Sequence, residues 1–392
     1  MLFVYLCTTM MHMWNPWPKI VEEGYACNNK GKPLKYHLTG LNVFLIMSSL
    51  FYCCSSWVPM SGFYDHYWTN LMHVNVLGFM LSFYFLWKGG TEPYVRCITK
   101  DQLTMIKSLV QTPVITSPPL LLRFFNGCEW NPRFNVGCVH IIDGKLVWPA
   151  WKIFDTKMWL YLIGAVGLQF NLLSFFIVQR LNNGGTSSLA MYTYIGCFEW
   201  FLCEYMMFEE VHLYTYDIFA EKVGFKLVWG CLVFYPFFYC IGGFPLVTAE
   251  HDMTAGQCVI TVLLFLTGWC LTRGANMQKF YARTRPGDKH CLWGRIRQET
   301  IPDTRILCHG FWGLSRHVNY LGEIVQALAL SIPGVLVGHG MLRYVPLLYP
   351  LYYVLLFVPR QYDDDVVCSL KYGDKWMEYK KRVPYRIIPG IW

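Results

Sequence analysis

The sequence predicts an all-α membrane protein, a polytopic bundle of about nine transmembrane helices, on three observations. Hydrophobic residues make up 54% of the chain and charged residues only 15%, with a mean hydropathy of +0.30; an average soluble protein is roughly 25% charged. The apolar residues gather into runs close to the 17 to 25 residues or so that cross a hydrocarbon core. The basic residues fall almost entirely on one side of the alternation that those runs impose.

Taken in order, the first run, 1–14, is short and lacks the basic flank and small-residue cleavage site of a secretory signal, so it reads as a piece of a span. Runs 38–58, 70–87, 158–178, 187–208, 224–247 and 256–272 follow; 323–338 is marginal, and 341–358 closes the set. The segment 88–157 is long enough to dip back into the protein. Pro113, Pro118 and Pro119 break any helix before FFNGCEWNPR, residues 124–133. That stretch is either an irregular interfacial loop or a re-entrant polar segment lining a cavity, which a bilayer tolerates only where backbone groups find partners. There is no internal repeat, low-complexity tract or appended soluble domain. Polarity divides the chain into a helical region 1–272, with room for a ligand cavity, and a part 273–392 that includes the last two spans and a cytosol-facing pocket.

Of the 33 Lys and Arg residues, all but Arg180, Lys226 and Arg343 lie in the loops 15–37, 88–157, 209–223 and 273–322 or in the tail from 359. The positive-inside rule puts those loops and the C-terminus in the cytosol. The net charge of +8 is therefore a topology signal, and its dispersal among spans argues against a nucleic-acid partner. The sixteen Cys form no C-x-x-C and the eleven His no H-x-x-x-H, so no metal site is expected.

Four polar clusters carry candidate chemistry. Arg273, Asn276, Lys279 and Arg283 share a face if the seventh span continues as a helix, and a fan of cations suits phosphate; snorkelling anchors are the plainer reading. Trp312, Arg316, His317, Asn319 and Tyr320, in the stretch 310–333, stand at the mouth of an apolar helix, where an aromatic belt would also put Trp and Tyr. Asp363, Asp364 and Asp365 precede Cys368, Lys371, Tyr372, Trp376 and Tyr379. Asp364, Cys368 and Tyr372 are four apart, as are Tyr372, Trp376 and, nearly, Tyr379, so carboxylate, ring and cation could meet a nucleotide on one helical face, unless this is only a solvated amphipathic helix. Glu204, Glu209, Glu210 and Asp217 are acids on a basic side. One of them, desolvated, could donate a proton near neutral pH, or they could simply pair with Lys222.

With these clusters in place, the chain resembles the sterol reductase family, which comprises Δ14- and Δ7-sterol (7-dehydrocholesterol) reductases, sterol C24(28) reductases and the membrane domain of lamin B receptor. NPR (131–133), EE…YDI (209–218), RGANMQK (273–279), GFWGLSRHVNYLGE (310–323) and KYGDKWMEYKKRVPYRIIPGIW (371–392) occur in the family's order and spacing. The likeness is strongest over 196–392. The family typically has ten spans, so about nine here, with a short first one, implies that its first helix is missing.

The resemblance implies a multi-pass protein of the endoplasmic reticulum membrane that reduces a sterol double bond with NADPH, by protonation and then hydride transfer. It implies NADPH contacts at Lys279, Arg283, Leu307, Trp312, Asn319, Tyr320, Asp364, Cys368, Lys371, Tyr372 and Tyr379. The acid would be Glu209 or Glu210, oriented by Asp217. After YDI the chain has Glu221-Lys222-Val223-Gly224-Phe225, nearer the C24(28) branch. CLWGR (291–295), WGCLV (229–233) and the terminal PGIW look like the Δ7 branch, and RGANMQK and YLGE suit Δ14 equally. The balance of these motifs favours Δ7, with Δ14 and C24(28) as alternatives. Two other classes compete: a membrane methyltransferase using S-adenosylmethionine, which shares R-H-x-x-Y before an apolar helix but needs no cationic fan, and a non-enzymatic sterol-binding receptor.

Overall fold

The computed structural model of the chain describes residues 1–14, 20–28, 32–55, 57, 59–89, 119–142, 145–219, 221–292 and 294–392. Pro113, Pro118 and Trp293 lie outside them, as does most of 88–118. Among the described residues six helices are long and apolar enough to cross a membrane: Tyr67–Gly89, Thr156–Asn182, Phe225–Val247, Ala255–Thr284, Val318–Val337 and Gly340–Tyr372. Leu2–Trp14 and Gly40–Cys54 are shorter apolar helices, and Leu189–Met207 is a ninth element where a span is expected. Each apolar run of the sequence thus contains helix among the described residues, and the protein is mostly helical as expected.

The helices overshoot the apolar runs at their polar ends. Ala255–Thr284 continues twelve residues past the hydropathy boundary at 272 and carries the cationic fan with it. Gly340–Tyr372 runs through Pro359 to Tyr372, so the acidic run lies on a helix and not in a tail. Two hairpins stand where loops are expected: Ile20–Cys27 pairs with Pro33–Leu38, and Arg133–Ile142 with Lys145–Asp155.

The chain falls into two compact units, Met1–Gly185 with Glu199–Cys240, and Thr186–Phe198 with Ile241–Trp392. In the first, Thr156–Asn182 is the central element, with 83% of its apolar window buried. Its start is fixed chemically. The Asp155 side chain accepts from the backbone N–H groups of Lys157 and Met158, both at 3.1 Å, which satisfies two orphan donors of the first turn. Arg133 of the NPR motif pairs with Asp155 at 2.9 Å, donates to the Lys35 carbonyl at 2.9 Å and lies 4.5 Å over the Tyr36 ring. One guanidinium therefore ties both hairpins to the helix start.

In the second unit, a capping box of Thr254 and Gln257 starts Ala255–Thr284. This helix packs against Val318–Val337 through glycines. A Cβ on Gly268 would lie 2.7 Å from the Gly322 carbonyl oxygen, so only glycine permits this approach. At the C-terminal end, Gly373 takes φ 54°, breaking the chain between Leu348–Tyr372 and the short helix Asp374–Arg382.

Candidate functional site

Three elements of the second unit bring the C-terminal clusters together. The cationic helix Ala255–Thr284 supplies Lys279 and Arg283, the start of Val318–Val337 supplies Asn319 and Tyr320, and Leu348–Tyr372 supplies Asp364, Cys368, Lys371 and Tyr372. The 3-10 turn Gly310–Gly313 packs on the first of them. Trp312 donates its indole N–H to the Ala275 carbonyl at 2.8 Å, and Lys279 lies 5.6 Å from the Trp312 ring centroid. Gln278, fully buried, accepts from Phe311 N–H at 3.0 Å and donates to the His309 carbonyl at 2.9 Å. Gly274 of RGANMQK faces the Phe311 ring, where a Cβ would come within 2.5 Å of Cε2, so this position has no room for a side chain.

Tyr320 donates to Asp364 Oδ2 at 2.8 Å, and its ring stacks on Phe357 at 4.3 Å and 6° and on His317 at 4.9 Å and 14°. His317 Nδ1 stands 3.9 Å from the same carboxylate oxygen. Burial, with Arg316 and Lys279 nearby, pushes the imidazole down to about 3, so at neutral pH it faces Asp364 uncharged. Asp364 and Cys368 both act electrostatically on Lys279, as do Arg283 and Arg360. The fan and the acidic helix therefore share one neighbourhood.

The three aspartates separate by role. Asp363 is exposed, Asp364 faces Tyr320, and Asp365 accepts from the Trp376 indole at 2.7 Å while lying 3.8 Å from Lys380 and 4.0 Å from Arg386. Cys368 and Tyr372 pack on a core of Ile301, Ile306, Cys308, Trp376, Tyr379 and Val383. Tyr379 is buried there, its hydroxyl donating to the Trp312 carbonyl at 3.3 Å, and burial raises its phenol well above the ordinary range. Leu307, buried, bridges to Thr300, and Lys371 lies over the ring of its neighbour Tyr372 at 4.9 Å.

The C-terminal segment fixes the Arg-His pair. Arg316 N–H donates to the Tyr385 carbonyl at 3.0 Å, His317 N–H to that of Arg386 at 2.8 Å, and Ser315 Oγ to that of Ile387 at 2.8 Å. Arg386 in turn donates to Gln361 at 2.9 Å. Gln278, Phe357, Arg360, Gln361 and Arg386 thus build this neighbourhood without having been singled out in the sequence. The buried Gln278 was the most readable of them, being a neutral amide inside the RGANMQK motif.

The acids of the first unit sit otherwise. Glu209, only 8% exposed, accepts the Gly40 N–H at 2.8 Å and so caps the Gly40–Cys54 helix, whose Thr39 makes no side-chain cap of its own. Thr39 instead meets His12 Nδ1 at 2.7 Å. Glu209 also lines a small cavity with Met158, Tyr161, Tyr205, His212 and Ile218. Glu210 and Asp217 are half-buried, and the carbonyls of Asp217, Ile218 and Glu221 accept from the buried Lys157 ammonium at 3.2, 2.6 and 2.5 Å. Among the described residues no group of three or more His, Cys, Asp or Glu is arranged to hold a metal.

Comparison with known proteins places the whole chain in one family. The family model described as "Ergosterol biosynthesis ERG4/ERG24 family" matches residues 1–392. The Delta(14)-sterol reductase of Methylotuvimicrobium alcaliphilum is 28% identical over 99% of this chain and 81% of its own length. That of Arabidopsis thaliana is 33% identical over 62% of this chain and 63% of its own length. A probable 7-dehydrocholesterol reductase of Acanthamoeba polyphaga mimivirus is 26% identical over 92% of this chain and 74% of its own length.

Proposed function

Because the chain belongs to the ergosterol biosynthesis ERG4/ERG24 family, we propose that it is an NADPH-dependent reductase of a sterol double bond, and that the bond is Δ14. The observation that carries the reading is the convergence of Lys279, Arg283, Tyr320 and Asp364 in one neighbourhood of a chain matched end to end by that family. The Δ14 assignment departs from the Δ7 leaning of the CLWGR and PGIW motifs. It follows the names of the relatives at 28% and 33% identity, against a Δ7 name at 26%.

The residues present suit NADPH. Arg283 and Lys279, one turn apart, offer a fork and a point charge to phosphates. The Asn319 amide oxygen is buried without a hydrogen-bond partner, an acceptor that a carboxamide or ribose hydroxyl would satisfy. Asp364, held by Tyr320 through one oxygen, keeps the other for a ribose hydroxyl. Trp312 supplies a ring, and Leu307, Cys368, Lys371, Tyr372 and Tyr379 complete the wall, the last two through the core they share. NADPH when bound would supply a hydride.

The chain's own part of the chemistry is an acid and exclusion of water, because the carbocation made by protonating an alkene is quenched by solvent. Glu209, buried beside an apolar cavity, is the first choice of donor, Glu210 the second, and Asp217 the orienting group. On this reading residues 273–392 would hold the cofactor and 1–272 the sterol. The C-terminus would then be cytosolic, as the basic loops require, and the membrane that of the endoplasmic reticulum. The decisive experiment is to incubate purified protein in lipid with NADPH and Δ14-, Δ7- or Δ24(28)-unsaturated sterols and resolve products by mass spectrometry. Reduction of the Δ14 sterol is expected. Reduction of only the Δ7 substrate would return the assignment to Δ7, and no product from any of them would leave a sterol-binding receptor.

A further inference from the structure

The buried polar groups of the first unit's central helix are not all spent on helix packing. Gln169, 2% exposed, lies midway along Thr156–Asn182. Its amide nitrogen donates to both carboxylate oxygens of Glu199, at 2.8 and 3.0 Å, and Glu199 lies midway along Leu189–Met207. Both positions fall at the centre of apolar helices, where an ionisable side chain is costly and marks a pathway or a ligand. Glu199 is half-buried and acts electrostatically on Tyr52 and Cys203; Tyr52 is 60% exposed, and Trp200 beside Glu199 is 47% exposed. The carboxylate therefore stands close to the surface that faces lipid.

The pair is short of donors. The Gln169 carbonyl oxygen is buried with no hydrogen-bond partner, and its one donor group already serves both oxygens of Glu199. A carboxylate offers about four lone-pair sites. Among the hydrogen bonds of the described residues, the two Glu199 oxygens thus share a single amide nitrogen and the Gln169 carbonyl oxygen receives none. The missing chemistry is an O–H donor on an otherwise hydrocarbon molecule.

We propose that Glu199, positioned by Gln169, receives the hydroxyl of a membrane-dissolved sterol, with the ring system lying against the neighbouring apolar helices. This rests on the sterol reading above and deepens it, by naming the end of the molecule that the protein recognises. A bridge serving only helix packing would use the same two side chains, but it would not distinguish a hydroxyl from an ether.

The test uses full-length protein in phosphatidylcholine vesicles and a fluorescent polyene sterol with a free 3-hydroxyl, compared with its 3-methyl ether, which accepts but cannot donate. Wild type is expected to prefer the free sterol about tenfold, in line with the cost of leaving a buried acceptor unpaired. Glu199→Leu and Gln169→Leu should bring that preference close to unity while ether binding stays the same. Should Glu199→Leu not fold, Glu199→Gln, which keeps the shape and one acceptor oxygen, should still lower the preference severalfold. An unchanged preference in Glu199→Gln and Gln169→Leu would overturn the proposal. Displacement of the free sterol by an equal amount of diacylglycerol would overturn the sterol assignment. Binding is read without turnover, so a chain that fails to reduce any sterol yet keeps the hydroxyl preference sinks the reductase reading and leaves this one standing.

Discussion

Tyr320 and Asp364 lie 44 positions apart on two different helices, and the tyrosine hydroxyl donates to the carboxylate at 2.8 Å. The bond engages Asp364 Oδ2, so the ribose contact proposed above would use the other oxygen. Tyr320→Phe keeps the stack on Phe357 but loses this hydrogen bond, one to a charged group, valued at about 1.5 to 3 kcal/mol. NADPH affinity, measured by fluorescence titration, should fall about tenfold, and the melting temperature should drop by a few degrees. Asp364→Asn should give a similar loss, and the double variant no more than the larger single one.

Lys279 and Arg283 test the phosphate reading directly. Lys279→Ala and Arg283→Ala should each weaken NADPH binding by about ten- to a hundredfold, with a steeper loss for NADPH than for NADH at Arg283 if the fork holds the extra phosphate. Equal losses for both cofactors would place Arg283 at the pyrophosphate. Unchanged NADPH affinity in both variants would remove the cofactor assignment.

Lys157 is wholly buried and satisfies the carbonyls of Asp217, Ile218 and Glu221. Lys157→Met would leave the buried Ile218 carbonyl and the two half-buried ones without their donor, so a loss on the order of 3 kcal/mol is expected, read as a drop in melting temperature in detergent. Lys157→Arg should recover part of it. A methionine variant as stable as wild type would show that water or another side chain takes over the three carbonyls.

His317 ties stability to pH. Its unfolded imidazole takes up a proton near pH 6.5, whereas in the folded chain burial, with Arg316, Lys279 and Arg386 opposing and Asp365 favouring the charge, delays protonation to about pH 3. Asp364 faces it as well, at 3.9 Å. Between those two values the unfolded state binds more protons, so the contribution of His317 is fully present above pH 6.5 and is lost as pH falls toward 3. Thermal unfolding across that range should show wild type losing stability faster than His317→Gln, by an amount on the order of a few kcal/mol. Parallel curves would mean that His317 is reached by solvent.

Much of the C-terminal neighbourhood was legible because helical spacing fixes which side chains share a face. Asp364, Cys368 and Tyr372 do lie on one continuous helix, and so do Arg273, Lys279 and Arg283. Periodicity failed at Gly373, where a positive φ breaks the helix and sends Trp376 and Tyr379 onto another element. Hydropathy ended the helices too early, because a helix is held by backbone hydrogen bonds that continue after the side chains turn polar. The hairpins at 20–38 and 133–155 escaped notice because a short two-stranded ribbon leaves only a weak alternation among apolar runs.

The sequence by itself determined the membrane class, the order of the helices and the family, since each depends on composition, periodicity or motif order along the chain. Only the tertiary structure decided which of three adjacent aspartates meets Tyr320, which acid caps the Gly40–Cys54 helix, and that Gln169 and Glu199 share a bond. Those choices depend on how helices distant in sequence are rotated and packed against one another. A rotation of one residue is about 100° and turns a different side chain to the neighbour. The spacing within a single helix carries no record of it.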